Sequence, residues 1–281
     1  MSSKIKTIDY KSQNAGSQLV NSLHHTGFAM LHNHLLDFDL INAVYTEWEE
    51  FFNSNTKHSY LFNQDTQDGY FPYRCENARG NIAKDLKEFF HLYEWGKYPE
   101  NISRNAILLY HELLDIGREL LEWIDIYSPD NVKSMFSMPL SEMITNSRMN
   151  LMRIIHYPPL ESDFTASSIR AGAHGDINLI TVLPAGSQSG LQLQMQSGKW
   201  MDVQCEPEWL VINSGDMLNE CSAGYYPSTI HRVINPKGDA TRLPRYSMPV
   251  FIHPRDEVKL SDKYTARRFL DERLMEIGLK S

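Results

Sequence analysis

Three cysteines, Cys75, Cys205 and Cys221, are too few and too widely spaced for a disulfide framework, and no CxxC pair suggests a thiolate zinc site. A reducing compartment is the simpler reading. Basic charge is also short: 27 Lys and Arg stand against 35 Asp and Glu, a formal net charge of −8. That balance argues against nonspecific binding to nucleic acid or an anionic membrane, and no basic stripe marks a nucleic-acid groove. No apolar run approaches the roughly 18 residues needed to span a bilayer. The opening segment, MSSKIKTIDYKSQNAGS, lacks the apolar core of a signal peptide. Repeats and low-complexity tracts are missing too. These absences predict a cytoplasmic protein with no nucleic-acid or membrane partner; they leave the oligomeric state open.

What is present is an ordinary globular composition, 42% hydrophobic and 22% charged over 281 residues. A chain of this length buries a sizeable core and can remain one domain. We read 1–281 as one domain in three stretches: 1–140 mixing helices and strands, 141–256 rich in strands, and 257–281 a closing helix. In the first, GFAMLHNH suits a short strand. Ile41, Val44, Trp48 and Phe51 recur at three- and four-residue steps, predicting an amphipathic helix capped near Asp39. Ala106, Leu109, Leu113, Leu120 and Trp123 predict a longer helix over 103–127, and GYFPYRCENARGN between them is turn-rich. The second stretch holds short β-type runs, LMRIIHY, NLITVL, LQLQM, KWMDV, EWLVIN, TIHRVIN and RYSMPVFI, broken by PAGSQSG and QSGK. Such spacing predicts an antiparallel sandwich or barrel. Ala266, Phe269, Leu270, Leu274 and Ile277 predict the final helix.

The chemistry centres on AGAHGDINLITVL. His174 and Asp176 stand two apart, so an extended segment would aim both side chains at one point. His231, in STIHRVINP, offers a third ligand from another strand-like run. Two imidazoles and one carboxylate on one face of a metal leave the opposite positions open, as iron(II) oxygenases require. LHNHL repeats the i, i+2 spacing with His32 and His34, but without a carboxylate in an equivalent setting; packing or surface histidines are the better reading there, as for His24 and His25. In RYSMPVFI, Arg245 and Ser247 alternate onto one strand face, where a guanidinium fork beside a hydroxyl suits a carboxylate. In MRIIHYPP, Arg153, Ile155 and Tyr157 share a face; Tyr157 could add its hydroxyl, and Arg153 could point toward a substrate.

HGD…H…RYS, preceded by HYPP, resembles the isopenicillin N synthase-like family of iron(II)/2-oxoglutarate-dependent dioxygenases. GYFPYRCENARGNIAKDLKEFFH resembles that family's N-terminal region, GDMLNECSAGYYPSTIHRVINP its second-histidine strand pair, and ARRFLDERLMEIGL its C-terminal helix. The resemblance covers nearly the whole chain. It implies a mainly β fold with flanking helices around a distorted double-stranded β-helix, or jelly roll. It implies iron(II) on His174, Asp176 and His231. It implies 2-oxoglutarate on Arg245 and Ser247 with help from Tyr157, and O2 as oxidant. The implied activity is oxidation of a small organic substrate with release of succinate and CO2.

Two departures stand out. Plant members carry Asn two residues before the tyrosine, where this chain has Ile155, so one contact near the cosubstrate is lost or replaced. The alternative activity, an iron oxidase of the isopenicillin N synthase type without 2-oxoglutarate, uses a glutamine near the C-terminus; this chain reads GLKS there. For the substrate pocket the candidates are Arg153 and Arg170, to meet an acidic group, Phe251 as lining, and Phe71 and Tyr73 to close over it.

Overall fold

The computed structural model describes residues 5–76, 84–160 and 168–276. Thirteen strands form two sheets among the described residues. They are β1 (Lys6–Asp9), β2 (Phe28–His32), β3 (Gly69–Phe71), β4 (Glu88–Leu92), β5 (Leu151–Tyr157), β6 (Ala171–His174) and β7 (Ile180–Pro184), followed by β8 (Leu191–Gln194), β9 (Trp200–Asp202), β10 (Leu210–Ser214), β11 (His231–Val233), β12 (Arg245–Ser247) and β13 (Val250–Ile252). The larger sheet runs β1-β2-β10-β7-β13-β5-β4-β3, with β12 also pairing β5; the smaller runs β6-β11-β8-β9. β1 and β2 are parallel, and every other named pair is antiparallel. The helices are α1 (Ala15–Thr26), α2 (Phe38–Asn53), α3 (Asn105–Tyr127), α4 (Asp130–Lys133), α5 (Leu140–Met143), α6 (Asp216–Cys221) and α7 (Ala266–Glu276).

Strand alternation decides which residues meet which layer. Met152 and Ile154 of β5, Ile180 and Val182 of β7, and Leu210 and Ile212 of β10 join the large core under the helices. Their neighbours Ile155, Tyr157 and Val211 turn the other way and pack with Ala171, Val233 and Leu193 of the smaller sheet. Both faces of these strands are covered, which is why LMRIIHY and EWLVIN read as nearly continuous apolar runs. On the helix side, α3 buries Ala106, Leu109, Leu113, Ile116 and Leu120. It also needs Gly117, where a Cβ would lie 1.9 Å from Ile252 Cδ1. Truncating one of these leucines would cost about 2–5 kcal/mol through lost burial and a residual cavity.

Asp39 stands near the cap of α2, as expected: the cap is Asp37, whose side chain accepts from the Asp39 N–H. Other expectations need correction. RYSMPVFI is two strands rather than one, because Pro249 has no N–H for the ladder. β6 ends at His174, leaving Asp176 in the bend before β7 rather than on an extended strand. In the turn-rich segment after Leu61, Gly69–Phe71 is a buried strand paired with β4. The first stretch contributes four strands, β1 to β4, to the larger sheet. Ile277 lies outside the described residues.

Candidate active site

The register of β11 on β6 pairs His231 with His174 across the smaller sheet. The bend after β6 brings Asp176 between them: Oδ1 is 3.9 Å from His174 Nε2 and 3.7 Å from His231 Nε2. One ligand atom from each residue lies within 4.8 Å of the others, and no other such group exists among the described residues. His34 instead donates to the Glu208 carbonyl, and His32 lies against Trp209.

Each of the three side chains is held by the atom that faces away from the centre. His174 Nδ1 donates to the Gly172 carbonyl (2.7 Å) and His231 Nδ1 to the Thr229 carbonyl (3.2 Å), so both rings present the Nε2 lone pair. Asp176 Oδ2 accepts from Thr181 Oγ1 (2.6 Å) and Asn213 Nδ2 (2.8 Å), freeing Oδ1. Thr181 and Asn213 are cross-strand partners on β7 and β10. Burial, then the neighbouring His231, pushes the His174 ring down to about 4, so it is neutral and able to ligate. Burial alone would raise the Asp176 carboxyl; the His231 and His174 rings and its two hydrogen bonds outweigh that and hold it below the usual range. Two imidazole nitrogens and one carboxylate oxygen, all three unused by protein, fit a divalent iron ion.

A cavity of about 880 Å³ opens on His174 and Asp176. Arg153 lines it, with its guanidinium 4.4 Å from the Phe89 ring centroid. Arg153 Nε donates to His91 Nε2 at 2.8 Å, and His91 Nδ1 donates to the Gln67 carbonyl. Burial, then the charge of Arg153, keeps that imidazole well below its ordinary pKa and neutral. Phe251 also lines the cavity, facing Leu270 and Leu274 of α7.

Phe71 and Tyr73 do not line it. Phe71 is buried between Phe62 and Phe89 in a stack of rings, and Arg74 lies over Tyr73. Nor does Arg170 line the cavity: it is 1% exposed, with its guanidinium 6.0 Å from the Tyr157 ring centroid. Sequence reasoning missed Thr181, Asn213, His91, Lys87 and His253. Lys87, on the cavity wall, bridges Glu76 and Asp85 at 2.9 Å each, and Asp85 accepts from the Gly172 N–H beside β6. Nothing within DLKEFF itself marks that lysine for the site.

Arg245 and Tyr157 are register partners, as are Ser247 and Ile155. Arg245 is 3% exposed, lies 5.2 Å from the Tyr157 ring centroid and donates Nε to the Gln188 carbonyl. Its Nη1 has no partner among the described residues. A Cβ on Gly186 would sit 2.6 Å from Nη2, so glycine there leaves the guanidinium its room. An orphaned, buried N–H on a cation fits a carboxylate ligand.

The model of the 2OG-Fe(II) oxygenase superfamily matches residues 148–254, and that of the N-terminal region of non-haem dioxygenases in morphine synthesis matches 4–111. An oxygenase candidate from Shewanella oneidensis of solved structure is 47% identical, with a TM-score of 0.88 over 98% of this chain and 99% of that one. Neurospora crassa T7H in complex with alpha-KG is 20% identical, TM-score 0.81, over 96% of each chain, a likeness of fold. A 2-oxoglutarate-Fe(II) type oxidoreductase of Emericella nidulans is 35% identical over 154 residues, 54% of this chain. That match spans 41% of the relative's own length.

Proposed function

Because the chain belongs to the 2OG-Fe(II) oxygenase superfamily, we propose that it oxidises a small organic substrate with iron(II), 2-oxoglutarate and O2, releasing succinate and CO2. The carrying observation is the meeting of His174, Asp176 and His231 with their Nε2, Oδ1 and Nε2 atoms free, at the edge of the large cavity. His174 Nε2, Asp176 Oδ1 and His231 Nε2 hold the iron. Arg245, Ser247 and Tyr157 take the distal carboxylate of 2-oxoglutarate. When bound, iron(II) supplies the activation of O2 that the side chains cannot perform.

The protein's own part is placement and exclusion. Thr181 and Asn213 keep the Asp176 carboxylate from rotating. Arg245, tied by Nε, fixes the direction of the cosubstrate. The apolar walls at Leu270, Leu274 and Phe251 keep water from the substrate, and Arg153 offers it a charged anchor. Among the described residues no helix is long and apolar enough to cross a membrane; the cysteine usage favours a cytoplasmic site of action.

Anaerobic titration with iron(II), then 2-oxoglutarate, tests this. A visible metal-to-ligand charge-transfer band is expected. Iron bound without that band would favour the oxidase that needs no cosubstrate.

A further inference from the structure

Arg170 and Arg245 are both buried cations, 1% and 3% exposed. Their guanidinium carbons lie 6.0 and 5.2 Å from the centroid of one ring, Tyr157. Among the described residues neither forms an ion pair, and each keeps an orphaned N–H: Nε of Arg170 and Nη1 of Arg245. Their remaining contacts are to neutral carbonyls, Leu243 for Arg170 and Gln188 for Arg245. Burying one unpaired charge is costly, and a second like charge against the same ring adds to that cost. The strain registers in Arg170, whose pKa falls to about 10, through burial first and the charge of Arg245 second.

We propose that Arg170 is a second anchor for the distal carboxylate of 2-oxoglutarate, closing with Arg245 a two-guanidinium clamp that selects a dianionic 2-oxo acid. The clamp rests on the carboxylate role given to Arg245 above. Arg170 immediately precedes β6, the strand that ends at His174, and its guanidinium reaches the ring of Tyr157 on β5. A carboxylate presents about four lone-pair sites. Two unpartnered donors, Arg170 Nε and Arg245 Nη1, belong to guanidiniums that lie against the Tyr157 ring, and Ser247 is two residues from Arg245 on β12. Ile155 is packed among Phe89, Tyr157 and Val233 and offers nothing to an anion.

The test measures binding as well as turnover. Iron(II)-loaded protein is titrated anaerobically with 2-oxoglutarate and with 2-oxopentanoate, which keeps the metal-chelating end and lacks the distal carboxylate. Both titrations follow the charge-transfer band. Arg170→Met and Arg170→Gln are compared with the parent and with Arg245→Ala, and the melting temperature of each is taken without ligand. Expected is a tenfold or greater loss of 2-oxoglutarate affinity in the Arg170 variants. Binding of 2-oxopentanoate should be unchanged or tighter, and the ligand-free melting temperature equal or higher, since an unpaired charge has gone. Unchanged 2-oxoglutarate binding would overturn the clamp, as would equal losses for both acids. Loss of the ligand-free fold in both variants would make Arg170 structural and likewise overturn it. If Arg245→Ala weakens 2-oxoglutarate and the Arg170 variants do not, only the second anchor fails. If Arg245→Ala has no effect, the role of Arg245 itself fails.

Discussion

The two ends of the space between the sheets are built on opposite rules. At the metal end each ligand is restrained from behind: two carbonyls hold the imidazoles, and Thr181 and Asn213 hold the carboxylate. At the arginine end, one N–H of each of two buried guanidiniums, Arg170 Nε and Arg245 Nη1, is left without an acceptor. The first arrangement prepares lone pairs for a cation before it arrives. The second stores unmet donors that only an anion can satisfy. A buried site can thus be specific either by finishing its hydrogen bonds or by withholding their partners.

The contrast breaks most completely at the metal end. His174→Ala should abolish iron retention and turnover; metal content and succinate release measure it, and substrate-dependent decarboxylation in that variant would sink the ligand assignment. Next is Arg245→Ala. Removing one partner of a buried charge contact costs roughly 2–5 kcal/mol, so the 2-oxoglutarate concentration for half-maximal rate should rise about 30-fold or more while iron binding holds. An unchanged requirement removes Arg245 from the carboxylate. Thr181→Val keeps the shape and deletes the donor to Asp176. Iron affinity should fall about 10- to 100-fold, the usual cost of losing such support, with the 2-oxoglutarate dependence at saturating iron little altered. The smallest effect is on stability. Burial pushes the His253 ring, on the cavity wall, down to about 4, against about 6.5 when unfolded. Between those values the unfolded chain binds more protons, so stability is full above pH 6.5 and is lost as pH falls toward 4. His253→Gln should flatten that part of a melting-temperature profile; an unaltered slope would assign it to other groups.

The three metal-ligating candidates were legible because their spacing is local or carried by one strand pair, and Arg245 because it shares a run with Ser247. Thr181 and Asn213 were not: they meet through the pairing of β7 with β10, and nothing within NLITVL or EWLVIN announces that neighbour. Arg170 stands four residues before His174 in plain sight. Its meaning comes from Tyr157, which another strand supplies, so sequence alone pointed it at a substrate. Phe71 failed for a related reason. An aromatic in a turn-rich segment reads as a lid, yet pairing with β4 makes it core. The helices fared better, since a 3.6-residue stripe declares its buried face without reference to a partner.

Leu270 and Leu274 line the cavity from α7, whereas every proposed iron and 2-oxoglutarate residue sits on β5, β6, β11 or β12, or among the residues flanking β6. Part of the cavity wall is therefore carried by a helix outside both sheets, while Arg153 and Phe251 add to it from β5 and β13. Substitutions on the inward side of that helix would reshape the chamber and leave the proposed iron ligands in place.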